Sequence, residues 1–206
     1  AYNTKEHQAI ARKIADESIV LLKNEQILPL DKSKIKKLAV VGDNATRKHA
    51  GAGGSSQVKA FYEVTPLEGL QNILGEEVTI DYAPGYEAKR AAKANAAMIA
   101  DAVYNAFDAE EIDKPDMMLP FGQDALIEAV LKANPNTIVV LIGGGPVDMR
   151  AWETKVKGII QAGYPGMETG NALAGVLFGE VNPSGKLPMT FPKKLEDSPA
   201  HSIAQY

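Results

Sequence analysis

Hydrophobic and polar positions change their period several times along the chain, and these changes separate helices from strands. Apolar residues recur at helical spacing between Glu6 and Ile14, which predicts a first helix. Thr4 is its expected N-cap, and the helix is expected to end before Ser18. The apolar run at residues 19–22 breaks that period and predicts a short extended or edge segment.

Further apolar runs predict strands. Residues 34–42 have a charged start, a compact apolar run and a glycine at the exit, which is typical of a buried parallel strand. Other strands are expected at residues 77–82, 136–142 and 156–160, of which 136–142 gives the strongest signal.

Helices are predicted between these strands. Thr65, Pro66 and Glu68 have the spacing of a capping box with proline at the first helical position, which predicts a helix start. Further helices are expected at residues 88–102, 125–133 and 168–178. Asp124 is expected to accept a hydrogen bond from the first turn of the helix at 125–133.

Strands that alternate with helices predict an α/β fold. We expect a single-domain α/β sandwich with a mostly parallel sheet flanked by helices. The length of 206 residues, with 45% hydrophobic and 23% charged residues, suits one large domain that buries a core. No internal repeat, low-complexity tract or linker is evident, and the fold alone assigns no chemistry.

Composition excludes several kinds of site. A net charge of -4 with dispersed basic residues gives no reason to expect a nucleic-acid partner. The absence of cysteine excludes disulfides, zinc-thiolate sites and cysteine nucleophiles. His7, His49 and His201 lack ligand spacing, so we expect no metal. No apolar run reaches about 18 residues, so no membrane partner is expected, and the localisation stays open.

A glycine-rich loop follows the strand predicted at residues 34–42. Gly51, Gly53 and Gly54 do not complete a G-x-G-x-x-G pattern, because Ser56 stands at its last position, and no Walker pattern occurs. This argues against a nucleotide-binding module, and no cofactor is expected. The loop is either a flexible surface loop or one whose glycines let the backbone approach a ligand or a partner domain.

A second loop, at residues 107–120, is acidic. Pro115 and Pro120 discourage a continuous helix across it. Its carboxylates are Asp108, Glu110, Glu111, Asp113 and Asp116. Such loops are usually solvated connectors, and charge alone does not assign a function to this one.

Several strings in the sequence resemble a known family when they are taken in combination and order. They are ESIVLLKNE at 17–25, LPL at 28–30, VVG at 40–42, GGSS at 53–56, VTPLEG at 64–69, QDALI at 123–127, YPG at 164–166, LFG at 177–179 and NPSGKLP at 182–188. The chain resembles the C-terminal α/β-sandwich domain of the glycoside hydrolase family 3 enzymes, the β-glucosidase and β-xylosidase family. The similarity covers nearly the whole chain.

This resemblance implies a partner domain. Family members carry an N-terminal (β/α)8-type barrel with the aspartate nucleophile, and often a fibronectin-like domain after the sandwich. The sequence contains neither, so we expect an isolated domain that is inactive without the barrel. Its barrel-facing surface would be exposed and would favour self-association. The substrate implied is a β-linked glycoside of gluco- or xylo-configured sugars.

The resemblance also implies a catalytic residue. The family's acid/base glutamate lies in a Glu-Gly-x-Asp-Arg loop followed by Leu-Pro and Gln. EEIDK at 110–114 puts Glu110 at that position, with Glu111 in place of the glycine and Lys114 in place of the arginine. An apolar strand that precedes this loop in the family is missing here. Glu110 would be the proton donor of a retaining, exo-acting β-glycosidase; the alternative is a non-catalytic packing or carbohydrate-binding domain.

Other residues are candidates for contact with the sugar. Gly53, Gly54, Ser55 and Ser56 would lie on the same sheet edge as Glu110 and touch the leaving-group sugar, or else form a structural turn. Four aromatic residues are expected either to stack on sugars or to pack in the core: Tyr62, Tyr86, Tyr104 and Trp152.

Overall fold

The computed structural model describes residues 2–48, 50, 55, 58–85 and 114–199. The predictions that lie outside these residues concern Gly53, Gly54, Ser56, Tyr86, Tyr104 and Glu110, and the helix at 88–102. Among the described helices, none has the length and apolar character needed to cross a membrane.

The chain begins with helix α1 (Lys5–Ser18) and strand β1 (Val20–Asn24). As predicted, the Thr4 side chain caps α1 by accepting from the His7 N–H at 3.3 Å. The helix includes Ser18 instead of ending before it, because the Ser18 hydroxyl donates to the Ala15 carbonyl at 2.9 Å and satisfies the last turn. The extended segment predicted after it is confirmed as β1.

The described strands form a three-stranded sheet and a two-stranded sheet. In the first, β4 (Ile138–Leu141) runs parallel to β5 (Gly158–Gln161), and β1 pairs with β5 in the antiparallel direction. In the second, β2 (Lys37–Val41) is parallel to β3 (Thr79–Ala83). The α/β class is confirmed, but the sheet is mixed where we expected it to be mostly parallel. No local crossover links β1 to β5, so packing and not connectivity sets the direction of β1.

Strand β2 is parallel as predicted, but it is not buried. Lys37, Ala39 and Val41 are exposed, while Leu38 and Val40 pack against the core. Successive side chains of this apolar run therefore alternate between the core and an exposed face of the strand.

Two hydrophobic clusters lie on opposite faces of the three-stranded sheet. Ile160 of β5 belongs to the first cluster, with α1 and the two helices α2 (Pro66–Leu74) and α4 (Thr169–Leu177). Ile159 belongs to the second, against which α3 (Gln123–Ala133) packs. Successive strand residues thus serve opposite faces, and this alternation builds the sandwich.

Helices α2 and α4 cross at two glycines. A methyl group added to Gly69 would lie 2.0 Å from the Gly170 carbonyl oxygen, and one added to Gly170 would lie 1.9 Å from the Thr65 carbonyl oxygen. The start of α2 is fixed by the predicted capping box, in which Thr65 accepts from the Glu68 N–H and the Glu68 side chain accepts from the Thr65 N–H. The small residues let the two backbones touch.

The predicted role of Asp124 in capping is wrong. Helix α3 is preceded by Gly122 in a left-handed conformation, with no side-chain cap bond. The Asp124 carboxylate instead accepts a 2.7 Å hydrogen bond from the indole N–H of Trp152. Trp152 is fully buried, so the structure decides for the core and against sugar stacking at this position.

Candidate functional site

The carboxyl ends of the parallel strands lie at one edge of the fold, which we call the carboxyl edge (residues 84–85, 142–149 and 162–166). The last residues of β4 and β5, Leu141 and Gln161, are register partners. Gly85, just beyond β3, packs on Leu126 of α3: a methyl group added there would approach its side chain to 2.7 Å. Helix α3 begins at this edge because it runs back to the start of β4. Ligands of open α/β sheets bind at such edges.

The described end of the acidic loop is attached to the carboxyl edge. The Lys114 side chain lies across Gly145, where an added methyl group would come within 3.1 Å of its Nζ. The Asp148 N–H donates to the Met117 carbonyl at 2.8 Å, and the Met117 side chain is buried. The segment that follows Glu110 in sequence is therefore fixed against the loop that leaves β4.

Arg150 stiffens the same loop. Its guanidinium donates to both Asp148 oxygens, at 2.9 Å from Nε and 2.6 Å from Nη2. Hydrogen bonds from Arg150 hold the pKa of the Asp148 carboxyl below its usual range, despite an opposing effect of burial. Asp148 is therefore a fixed negative charge that orients the attachment point of Met117.

Gln161 is a buried polar residue at this edge. Its side-chain N–H donates to the Gly143 carbonyl at 2.9 Å. Its Oε1 is buried and accepts no hydrogen bond, the one such side-chain atom among the residues that the structure describes. The Gly143 bond holds the exit of β4 against the end of β5.

A second region carries Ser55, the described member of the predicted sugar-contacting loop. We call residues 50, 55 and 58–63 the Ser55 turn. Ser55 is exposed, and the ends of the turn are tied together because the Ala50 N–H donates to Glu63 Oε2 at 2.8 Å. Phe61, on the same segment, is 69% exposed.

The turn is anchored by a group that we call the Glu168 cluster (Tyr62, Glu168 and Asn171). The Tyr62 hydroxyl donates a short hydrogen bond to Glu168 Oε1, and the Asn171 amide donates to Glu168 Oε2 at 2.7 Å. Glu168 is 7% exposed. Burial of the phenol, followed by its bond to Glu168, raises the pKa of Tyr62 to about 12. Tyr62 thus remains a neutral donor to a buried acceptor.

The structure tests the sequence-predicted site residues only in part. Ser55 lies exposed on its turn. Gly53, Gly54, Ser56 and Glu110 are outside the described part of the chain. Sequence reasoning missed Glu168 and Asn171 because they looked like the start of an ordinary helix. A signal was present: an acidic residue between Gly166 and Gly170, at a helix start, is placed to accept hydrogen bonds.

Comparison with known proteins assigns the family. The family model for the glycosyl hydrolase family 3 C-terminal domain matches residues 19–206. The chain is 40% identical to beta-glucosidase BoGH3A of Bacteroides ovatus, with 100% of this chain and 31% of that protein covered. It is 39% identical to a beta-xylosidase of Formosa agariphila, with 95% of this chain and 30% of that protein covered. The chain thus spans about a third of the length of these curated relatives.

Solved structures agree with these sequence matches. A beta-glucosidase from Kluyveromyces marxianus superposes with a TM-score of 0.82 at 25% identity, over 97% of this chain and 42% of that one. A family 3 beta-glucosidase from Bifidobacterium adolescentis superposes with a TM-score of 0.77 at 32% identity, over 97% of this chain and 31% of that one. The architecture described above is therefore that of a domain found in longer proteins.

Proposed function

Because the chain belongs to glycosyl hydrolase family 3, as its C-terminal domain, we propose that it carries the general acid/base of a retaining, exo-acting β-glycosidase. Glu110 is the proton donor in this proposal. The substrate is a β-glucoside or a β-xyloside, in keeping with the relatives named as beta-glucosidase and beta-xylosidase. The aspartate nucleophile is supplied by an N-terminal barrel domain.

One observation carries the proposal: the attachment of Lys114 and Met117 at the carboxyl edge. Four peptide units separate Glu110 from Lys114, which limits the distance between their Cα atoms to about 14 Å. This limit supports the proposal, because α/β sheets bind ligands at the carboxyl edge to which Lys114 is attached. The order of EEIDK, Leu119-Pro120 and Gln123 along the chain supports the same assignment.

The chemistry requires two carboxyl groups about 5 to 5.5 Å apart. The nucleophile attacks the anomeric carbon while Glu110 gives its proton to the departing oxygen, so that a glycosyl-enzyme and a free alcohol are formed. Glu110, now a carboxylate, then takes a proton from a water molecule that attacks the anomeric carbon and releases the nucleophile. Neither half of this pair hydrolyses the bond alone.

Replacement of Glu110 by Gln in the full-length parent enzyme tests the assignment. The amide cannot donate a carboxylic proton, so we expect kcat/KM for a disaccharide to fall by about 10²–10⁴-fold. An aryl glycoside with a dinitrophenyl leaving group needs no proton, so its first step should be nearly unaffected. Steady-state and pre-steady-state rates with the two substrates measure the difference.

Glu111→Gln is the matched control, since it removes a neighbouring carboxylate that stands where the family has glycine. It should change the disaccharide rate by less than about threefold, because Glu111 does not deliver the proton. An unchanged disaccharide rate in Glu110→Gln would support the second candidate function, a non-catalytic packing or carbohydrate-binding domain.

A further inference from the structure

We infer that Glu168 and Tyr62 are positioning residues that hold the Ser55 turn against the carboxyl edge, so that the turn contacts the leaving-group sugar. This inference rests on the proposed function, because it concerns the same hydrolytic site. Neither residue touches the bond that breaks. Their effect is on the binding of the sugar that departs.

Glu168 lies close in sequence to the carboxyl edge. It follows β5 and the left-handed Gly166, and it directly precedes α4. It therefore lies two residues beyond the 162–166 segment of the carboxyl edge, the edge to which Lys114 and Met117 attach the acidic loop. The hydrogen bond from Tyr62 to Glu168 therefore holds the Ser55 turn toward the site that we propose for catalysis.

The Glu168 cluster supplements backbone hydrogen bonds that lie just after the turn. The backbone already joins the segment after the turn to the start of α4: the Val64 N–H donates to the Met167 carbonyl at 2.8 Å, and the Gly170 N–H donates to the Val64 carbonyl at 2.9 Å. The Tyr62 bond acts two residues nearer to Ser55. It thus fixes the direction in which the turn leaves the body of the fold.

The hydrogen bond between Tyr62 and Glu168 is specific to one position of the two side chains. A buried carboxylate is costly unless donors satisfy it, and two side chains supply them here. Asn171 is itself held, since its Oδ1 accepts from the Asn72 amide at 3.1 Å. With Asn171 fixed at Oε2, Glu168 Oε1 is directed at the Tyr62 hydroxyl. The acceptor therefore selects one position of the tyrosine and of the turn.

The test compares two substrates with alcohol leaving groups in the full-length parent enzyme. A β-linked disaccharide has a second sugar ring for the turn to contact, whereas the methyl glycoside of the same sugar has none. Both leaving groups need a proton from the acid. We expect Tyr62→Phe to lower kcat/KM for the disaccharide by about fivefold to tenfold and to leave the methyl glycoside within about twofold. Glu168→Gln should produce the same pattern.

Tyr82→Phe is the matched control, because it removes a phenol hydroxyl that lies 3.3 Å from Thr46 Oγ1 and takes no part in the Glu168 cluster. It should leave the ratio of the two kcat/KM values unchanged. An equal loss for both substrates in Tyr62→Phe would mean that the cluster only stabilises the fold, and no loss would also overturn the inference. Tyr62→Phe keeps the aromatic ring, so it decides the matter even if Glu168→Gln folds poorly.

Failure of this inference can be distinguished from failure of the proposed function. Loss of the acid in Glu110→Gln lowers the rates of the disaccharide and the methyl glycoside together, since both need the proton. Loss of the contact between the Ser55 turn and the leaving-group sugar lowers only the rate of the disaccharide. Amide hydrogen exchange of peptides that cover residues 58–63 provides a readout without catalysis, and it should accelerate in Tyr62→Phe but not in Tyr82→Phe.

Discussion

The phenol hydroxyl of Tyr62 donates to a carboxylate 106 positions further along the chain. No local pattern relates these two residues, and each taken singly has an ordinary interpretation. Once paired, they have two consequences: the turn that carries Ser55 is held at the carboxyl edge, and the proton of Tyr62 is bound more tightly in the folded state than in the unfolded state.

The raised pKa of Tyr62 predicts a loss of stability at alkaline pH. An unfolded tyrosine loses its proton near pH 10, whereas folded Tyr62 keeps it to about 12. The stabilisation that Tyr62 gains from this raised pKa is therefore complete below about pH 10 and declines as the pH rises toward 12. Urea unfolding at pH 8, 10 and 11 should show a smaller alkaline loss in Tyr62→Phe than in the wild type, and identical pH dependence would contradict the assignment.

At the scale of elements, the crossing of α2 and α4 depends on two glycines. The contact is between backbones, since the atom nearest to a methyl group on Gly170 is the Thr65 carbonyl oxygen. Backbone cannot rotate away as a long side chain can. This crossing places the start of α4, and therefore Glu168, beside the segment that carries Tyr62.

Gly170→Ala is expected to destabilise the chain by about 3 kcal/mol or more, because the two helices must separate. Gly175→Ala, on the same helix, is the matched control. Its methyl group would meet only side chains, the flexible end of Arg12 at 2.9 Å and a methyl group of Val181 at 3.2 Å, and it gains the same helix propensity. Urea unfolding of both variants measures the difference, and equal stabilities would show that the crossing is not tightly packed.

At the scale of the whole molecule, the chain exposes large apolar side chains that an independently folded domain would normally bury. Ile10 and Ile14 lie one turn apart on α1 and are 57% and 62% exposed, and Met118, within the acidic loop, is 56% exposed. We propose that the barrel domain covers such exposed apolar side chains, since the chain spans only about a third of its curated relatives. Without the barrel, these exposed side chains would favour self-association.

We expect the isolated chain to be inactive. A chromogenic β-glucoside and β-xyloside should not be turned over by the chain alone, because the proposed nucleophile belongs to the barrel. Addition of the separately produced barrel domain should restore measurable turnover, and barrel with a Glu110→Gln chain should restore much less on unactivated substrates. Enzyme-like turnover by the chain alone would refute the division of the two carboxyl groups between domains.

Local patterns in the sequence determined much of the fold. The capping box at Thr65, the strand at residues 136–142 and the helix that begins near residue 168 were predictable because each depends on neighbours within a few positions. The order of the family strings was also sufficient to identify the family that the comparisons assign. The acid/base role of Glu110 stays a prediction.

Tertiary structure alone decided the contacts between distant segments. Asp124 had the sequence features of a helix cap, yet the indole of Trp152 takes its carboxylate, because a buried N–H must find an acceptor wherever folding brings one. The antiparallel direction of β1 and the Tyr62–Glu168 bond have the same origin. Periodicity and spacing report interactions within one turn or one strand, whereas these contacts depend on how completed elements pack together.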